Sequence, residues 1–219
     1  MLTFVEQKAK RGRSVVEIVG HSVLRNAWDF ARRDINNKPV NFNILPGGTA
    51  RVLWLHIKDI ALRRAHAGIR VTFGIMFLQN SIRVMTTPQL LRLLTEMRRF
   101  FINDLKGYHH YFFINIIRAP ELLDDGYGKR INVFNRYLEF ENRSNKYRVP
   151  CDPGKTLEKK KAGPEGPRVI IKDGKTCTKW RPDGYHPSEQ SMPAFCRYVR
   201  KWVDTNVIKL ENKIYRGTI

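Results

Sequence analysis

The chain has 219 residues, 42% of them hydrophobic, which is enough for one domain whose core needs no disulfide or metal. It has no run of about 18 apolar residues, so we expect no membrane-spanning helix. Forty Lys and Arg residues against 20 Asp and Glu give a formal net charge of +20, which predicts attraction to polyanions such as RNA or DNA. A generally basic, solvated surface is an equal alternative, because no zinc-finger spacing or RNP-like aromatic motif accompanies the charge.

The spacing of the cysteines and the composition of the first 13 residues indicate the cellular compartment of the protein. Cys151, Cys177 and Cys196 form no CxxC pair and no His-interleaved pattern, which predicts neither a disulfide framework nor a metal site. Residues 1–13 form a basic N-terminal extension without the apolar core of a signal peptide. No GxxxxGK or GxGxxG phosphate-binding motif is present. We therefore expect an intracellular protein, cytoplasmic or nuclear, with no cofactor.

The first half of the chain alternates strand and helix patterns. The segment SVVEIVGHSVLR (14–25) predicts a buried strand that turns at Gly20 into a helix. Residues 39–44 predict a second strand that ends in the turn LPGGTA, and residues 69–78 predict a third that ends in Gln79-Asn80-Ser81. Between them, residues 51–67 predict an amphipathic helix with these apolar positions: Val52, Leu55, Ile60 and Leu62.

The second half continues the alternation. Thr87 as N-cap and Pro88 as first residue predict a helix to about residue 106. Further along, the patterns predict a strand (108–117), a loop (119–128), a helix (129–142), a short strand (147–150), a mobile insertion (151–167), a hairpin turning at residues 173–174, and a helix (188–205). We predict one domain over residues 14–205, with residues 206–219 as a tail or edge strand, and a three-layer α/β sandwich on a mostly parallel sheet.

Several polar loops lie where the predicted strands end: GHS, PGG and QNS, with DGYH before the last helix. Ligands bind at the carboxyl ends of the strands in such sheets. Acyl transfer by a serine requires a nucleophile, an imidazole base, a carboxylate and oxyanion donors. These loops supply Ser22 as nucleophile, His186 as base and Asp183 as the carboxylate. The oxyanion donors would be the N–H groups of Ser22 and Gly48 and the side-chain amide of Asn80. Taken alone, Ser22 is more simply explained as a helix N-cap.

The four blocks, in this order, resemble those of SGNH (GDSL-type) hydrolases: Gly20-His21-Ser22, the Gly of PGG, Asn80, and Asp183-Gly184-Tyr185-His186-Pro187. The resemblance runs from about residue 14 to residue 203. It implies a flavodoxin-like α/β/α fold with a central five-stranded sheet. It also implies a catalytic triad of Ser22, His186 and Asp183, with an oxyanion hole from Ser22, Gly48 (Gly47 is the alternative) and Asn80.

Two positions differ from the pattern of the family. His21 stands where an Asp usually precedes the serine, and Leu78 stands where the third block usually has Gly. The resemblance implies a serine esterase that hydrolyses a small acyl or acetyl ester. The alternative function is a nucleic-acid or polyanion-binding module with this fold and a weak or inactive site, for which Lys159, Lys160 and Lys161 are candidate contacts. The domain also resembles the esterase domains of first open reading frame proteins in LINE-type retrotransposons, which would combine the two functions.

Overall fold

The computed structural model describes residues 14–21, 40–157, 169–172, 175–178, 186–188 and 191–209. Its centre is a four-stranded parallel sheet formed by β1 (Ser14–His21), β2 (Val40–Leu45), β3 (Arg70–Met76) and β4 (His110–Phe113). The strands lie in the order β2–β1–β3–β4. Every pairing is parallel, so all four strands end at the same edge of the sheet. This is the order of flavodoxin-like folds, and it confirms the predicted α/β class.

The described helices fill the connections. They are α1 (Ala50–His66), α2 (Ser81–Val84), α3 (Thr87–Arg99), α4 (Pro120–Asp124), α5 (Gly128–Ser144) and α6 (Met192–Val203). A π-helical turn extends α3 (Phe100–Asp104) and another extends α6 (Asp204–Ile208), and a 3₁₀ turn covers Pro153–Thr156. The predicted hairpin is confirmed as β5 (Val169–Lys172) paired antiparallel with β6 (Lys175–Thr178). Within the described part of the chain, no helix has the length and apolarity that crossing a membrane would require.

The centre of the sheet is closely packed because β3 carries a glycine at its midpoint. A Cβ atom on Gly74 would lie 2.5 Å from Ile18 Cδ1 and 2.6 Å from Phe112 Cζ, so only glycine lets these two side chains close over the strand. The flanking strand residues, including Ile18 and Phe73, are fully buried. Strands covered on both faces are expected to be mostly apolar, as β3 is from Val71 to Met76, where Thr72 is the one polar residue.

Side-chain amides of α5 replace most of the predicted fifth strand along the open edge of β4. Asn142 bonds both the N–H and the carbonyl of Phe113, and Asn135 does the same for Ile116, at distances of 2.6 to 2.9 Å. Backbone pairing there is limited to the neighbourhood of a single parallel bridge, Ile114 to Cys151. The amides satisfy backbone groups that a neighbouring strand would otherwise pair, which also blunts the edge.

A buried carboxylate joins β1, β2 and α1. Glu17 is almost completely buried in β1, and one of its oxygens lies 2.7 Å from Arg64 Nη2 of α1. Asn41 and Asn43 of β2 donate to its two oxygens at 3.0 and 2.6 Å. A buried charge is tolerated when it is paired and hydrogen-bonded, as this one is.

Most of the apolar positions that the sequence analysis names for α1 lie outside its buried face. Val52, Leu55 and Leu62 are exposed, and of the four apolar positions only Ile60 is buried. The buried face consists instead of these residues: Ala50, Leu53, Trp54, Ile57, Ile60 and Ala61. Trp54 decides the orientation, because its large ring packs on Phe100 with 5.2 Å between centroids.

The predicted start of α3 is displaced by one residue. Thr86, rather than Thr87, is the N-cap, because Thr86 and Gln89 form a reciprocal capping box. The strand predicted for residues 147–150 is absent, and the pairing begins at Cys151 instead. The first residues of the predicted insertion are also part of the core, since Cys151 and Leu157 are buried. Residues 158–167, residues 1–13, the helix predicted after Ser22 and residues 210–219 lie outside the described residues.

Candidate active site

The carboxyl edge of the sheet brings two of the predicted oxyanion donors together. Gly48 lies in the loop between β2 and α1, and Asn80 lies in the loop between β3 and α2. The Asn80 Nδ2 atom donates to the Gly48 carbonyl at 3.2 Å. The Gly48 N–H donates to the Leu45 carbonyl at 3.2 Å, which closes the turn after β2. These bonds fix the orientation of the Asn80 amide and of the Gly48 peptide.

The residues on either side of Asn80 hold its loop in place. Ser81 Oγ accepts from the Ala50 N–H at 2.7 Å, which satisfies a donor at the first turn of α1. Gln79 bonds both backbone groups of Ile117, beyond the end of β4. The loop after β3 is therefore tied to the loops on both sides of it. The sequence does not reveal these roles of Gln79 and Ser81, because nothing local to QNS indicates which backbone groups lie opposite.

Two arginines anchor the helices that follow this loop. Arg83 of α2 pairs with Glu121 at 2.9 Å and with Asp125. Burial is the largest single influence on the pKa of Arg83 and lowers it, but the two paired carboxylates together raise this pKa above its usual value. Arg130 of α5 donates to the carbonyls of Ile82 and Met85 at the end of α2. These contacts fix α2 directly behind Asn80.

His21 ends β1 at this edge and immediately precedes Ser22. It is fully buried, and its Nε2 lies 2.6 Å from the Phe77 carbonyl, to which it donates in the neutral ring. Burial lowers the pKa of His21 from 6.5 to about 4, against smaller opposing effects of the Phe77 and Gly48 backbone. The imidazole is therefore neutral at physiological pH and joins the ends of β1 and β3. Where the family pattern has an acceptor-only aspartate, this chain has a buried donor.

Leu78, the second departure from the family pattern, lies in the hydrophobic core. Its side chain is 1% exposed and belongs to the main core cluster. Its carbonyl accepts from the N–H groups of Ser81 and Ile82, which starts the turn into α2. A Cβ on Gly48 would lie 3.1 Å from Leu53 Cδ1, so the other oxyanion position is closely packed as well.

The predicted triad is only partly described. Ser22 and Asp183 lie outside the described residues, as do the three lysines 159–161. His186 is half-buried and is followed by two buried residues, Pro187 and Ser188. The Ser188 carbonyl accepts from the N–H groups of Ser191 and Met192 at the start of α6. The distance from Ser22 to His186 therefore stays a prediction. No cluster of three potential metal ligands occurs in the described ranges.

Comparison with solved structures identifies proteins that share this fold. A GDSL-like lipase from Bacteroides thetaiotaomicron superposes with a TM-score of 0.59 at 13% identity, covering 91% of each chain. A member of the G-D-S-L lipolytic family from Veillonella parvula superposes with a TM-score of 0.58 at 14% identity, covering 86% of this chain and 97% of the other. This chain has the GDSL-hydrolase fold. By sequence it matches no family model and no curated protein.

The GDSL-type fold extends to enzymes with other acyl acceptors. The C-terminal catalytic domain of peptidoglycan O-acetyltransferase A from Streptococcus pneumoniae, solved with a methylsulfonyl adduct, superposes with a TM-score of 0.54 at 10% identity. It covers 91% of this chain and 95% of that domain. At these identities the likeness establishes the fold, and the chemistry of this chain has to be argued from its own residues.

Proposed function

We propose that this chain is a serine esterase of the SGNH type, acting on a small acyl or acetyl ester. The observation that carries the proposal is the hydrogen-bonded pair of Asn80 and Gly48 at the carboxyl edge. It lies at the edge where β1 ends and the chain continues into Ser22. A nucleophile adjacent to two fixed polar groups on separate loops is the arrangement that acyl transfer requires.

In the proposed reaction, Ser22 Oγ attacks the acyl carbon while His186 accepts its proton and Asp183 orients the imidazole. The negative charge on the tetrahedral intermediate is stabilised by the N–H groups of Ser22 and Gly48 and by the Asn80 amide. The Gly48 N–H would turn from the Leu45 carbonyl towards the oxyanion, and the 3.2 Å length of its present bond is at the long end of the normal range. His186 then protonates the leaving alkoxide, and water hydrolyses the acyl-enzyme by the reverse sequence.

The test is hydrolysis of p-nitrophenyl acetate together with labelling by a fluorophosphonate probe. Ser22→Ala should reduce kcat by about 10⁴-fold or more and abolish labelling. Thr95→Ala, which removes an exposed hydroxyl on α3, is the matched control and should change neither. A wild-type protein that neither turns over nor becomes labelled would contradict the proposal, and labelling that persists in Ser22→Ala would place the nucleophile elsewhere.

The oxyanion role of Asn80 has its own test. Removal of one donor should reduce kcat by about 10²- to 10³-fold with little change in KM. Asn80→Ala should show this loss, whereas Asn103→Ala, at an exposed asparagine in the π-helical turn after α3, should not. Equal kcat values for the two variants would remove Asn80 from the mechanism.

The net charge of +20 favours a second candidate function, binding of RNA or another polyanion. The resemblance to the esterase domains of LINE-type retrotransposon proteins would fit both functions in one protein. Fluorescence anisotropy with single-stranded RNA should show an affinity that falls steeply between about 50 and 200 mM salt. Replacing Lys159, Lys160 and Lys161 by Gln should weaken binding and reduce the salt dependence. Absence of binding at low salt would eliminate this function.

A further inference from the structure

The outer face of α5 carries an exposed row of basic and apolar side chains. Lys129, Val133, Arg136, Phe140 and Arg143 are all exposed, and the exposed fractions of Val133 and Phe140 are 62% and 56%. At about 100° per residue, these five positions fall within an arc of about 80° and extend over about 21 Å of the helix. Cations and apolar side chains therefore alternate along one line, which we call the α5 stripe.

The three cations of the α5 stripe have no carboxylate partner within the described residues. The two acidic residues of α5 are occupied elsewhere. Glu141 is buried and pairs with Arg98 of α3 at 3.2 Å, and Glu139 accepts from the Asn115 amide at 2.9 Å. The acids of this helix therefore serve contacts inside the fold, while its cations face solvent.

The outer face of α1 shows that an exposed apolar face of this protein need not be charged in this way. Its exposed apolar side chains lie on a helix whose two fully exposed arginines are both paired. Arg51 pairs with Glu96 at 2.8 Å, and Arg63 pairs with Asp59 at 2.6 Å. Ion pairs within a face cancel most of its field, whereas the α5 stripe presents uncompensated positive charge.

The chain that follows α5 extends this positive charge. Lys146 and Arg148 are exposed, and neither forms an ion pair within the part of the chain that the structure describes. Every exposed charged residue between positions 129 and 149 is therefore basic. Such a concentration of one sign, in a protein of net charge +20, attracts a polyanion.

The alternation along the α5 stripe indicates which polyanion fits. A single-stranded nucleic acid offers phosphates to cations and base faces to aromatic rings. A helix that lies in a membrane interface instead keeps its apolar residues on a face separate from its cations. We propose that the α5 stripe binds single-stranded nucleic acid, with Arg136 and Arg143 on phosphates and the Phe140 ring stacked on a base. The proposal rests on the second candidate function and gives it a surface other than the three lysines 159–161.

The first experiment measures fluorescence anisotropy of a labelled, unstructured RNA dodecamer with the full chain at about 50 mM salt. Phe140→Ala should weaken binding by about tenfold, because it removes one base–aromatic stack. Phe140→Tyr keeps the ring and should bind as the wild type does, and it remains informative if Phe140→Ala fails to fold. An RNA duplex of equal length hides its base faces, so its affinity should be the same for the wild type and Phe140→Ala.

The second experiment measures the salt dependence of the two arginine contacts. Replacing Arg136 and Arg143 together by Gln should reduce the slope of log affinity against log salt by about 1.4, since each phosphate contact with a single strand contributes about 0.7. The matched control replaces Arg51 and Arg63 by Gln, which removes the same two charges from α1. That control should leave the slope unchanged and alter the affinity by less than about twofold.

Several outcomes would overturn the proposal. One is wild-type binding that neither Phe140→Ala nor the paired α5 substitution weakens; if substitution of the three lysines 159–161 alone weakens it, the second candidate function stands without this surface. Another is an equal loss in the α5 and α1 arginine variants, which would mean that only total charge matters. Weaker binding of Phe140→Ala to phosphatidylserine vesicles, with unchanged RNA binding, would assign the α5 stripe to a lipid surface instead.

Absence of wild-type binding at low salt would remove both this surface and the second candidate function. None of these measurements uses the esterase reaction, so the proposed esterase activity is tested separately.

Discussion

The two edges of the sheet use polar side chains in opposite ways. At the carboxyl edge, Gln79, Asn80 and Ser81 each bond backbone groups of another loop. At the amino edge, the buried Tyr111 hydroxyl lies against the Asn145 side chain, and neither the hydroxyl nor Asn145 Nδ2 bonds a backbone group of the described residues. The first arrangement fixes loops in place, as a catalytic site requires. The second joins one side chain to another and holds no loop.

The two proposed oxyanion donors that the structure describes are not free at the carboxyl edge. The Asn80 amide and the Gly48 N–H both already bond backbone carbonyls. In the proposed mechanism these bonds must be shared or exchanged when substrate arrives, so the proposed catalytic rate depends on how readily the Gly48 peptide turns.

Acidification should produce the largest effect, because each edge contains one buried neutral histidine. Burial lowers the pKa of His21 and of His109 to about 4, below the unfolded value of 6.5. The unfolded chain therefore binds these protons first, so stability is complete above pH 6.5 and falls as the pH drops towards 4. At about 1.4 kcal/mol per pH unit for each group, the two together should cost about 4 kcal/mol by pH 5.

Urea unfolding at pH 7.5, 6.0 and 5.0 measures this loss. His109→Gln should lower stability at pH 7.5 and roughly halve the dependence on pH. Thr95→Ala, which removes an exposed hydroxyl that does not titrate, should leave the dependence unchanged. A dependence in His109→Gln as steep as in the wild type would mean that the histidine at the amino edge is not held neutral.

Removal of a polar side chain at the carboxyl edge should be the next largest effect. Gln79→Leu would leave the buried Ile117 N–H without a partner, whereas the Ile117 carbonyl keeps the bond that it accepts from the Ala119 N–H at 2.9 Å. One orphaned group costs about 1–3 kcal/mol, so we expect a loss of about 2 kcal/mol in the free energy of unfolding. Thr95→Ala, which removes an exposed hydroxyl from α3, should change it by less than about 0.5 kcal/mol. A loss in Gln79→Leu no larger than in that control would show that the loops at this edge are not held by this amide.

The sequence predicts the elements of this fold better than it predicts their faces. The alternation of mostly apolar strands with amphipathic helices was sufficient for the α/β class, and β3 is buried from Val71 to Met76 as that class requires. The buried face of α1 was not predictable, because Val52, Leu55 and Leu62 are apolar yet exposed. Burial there depends on where Trp54 meets Phe100, 46 positions later in the chain, and periodicity alone does not contain that information.

The candidate site was likewise predictable from the sequence only in part. Strand ends with polar residues placed Gly48 and Asn80 at one edge, and the structure brings them within hydrogen-bonding distance. Ser22, Asp183 and His186 as a triad stay a prediction. The amides along β4 were not predictable, because Asn142 and Asn135 lie 29 and 19 positions after the residues whose backbone they bond, and neither belongs to a recognisable motif.

Removal of a polar atom at the amino edge should have the smallest effect. Tyr111→Phe removes a buried hydroxyl that bonds no backbone group of the described residues and keeps the stacked ring, so the free energy of unfolding should change by less than about 0.5 kcal/mol. Tyr198→Phe is the matched control, because that hydroxyl accepts from the Asp152 N–H at 3.3 Å, and its loss should cost about 1 kcal/mol. Urea unfolding of both variants measures the difference. Equal losses would mean that the Tyr111 hydroxyl is held as strongly as the Tyr198 hydroxyl, and the contrast between the two edges would then fail at the amino edge.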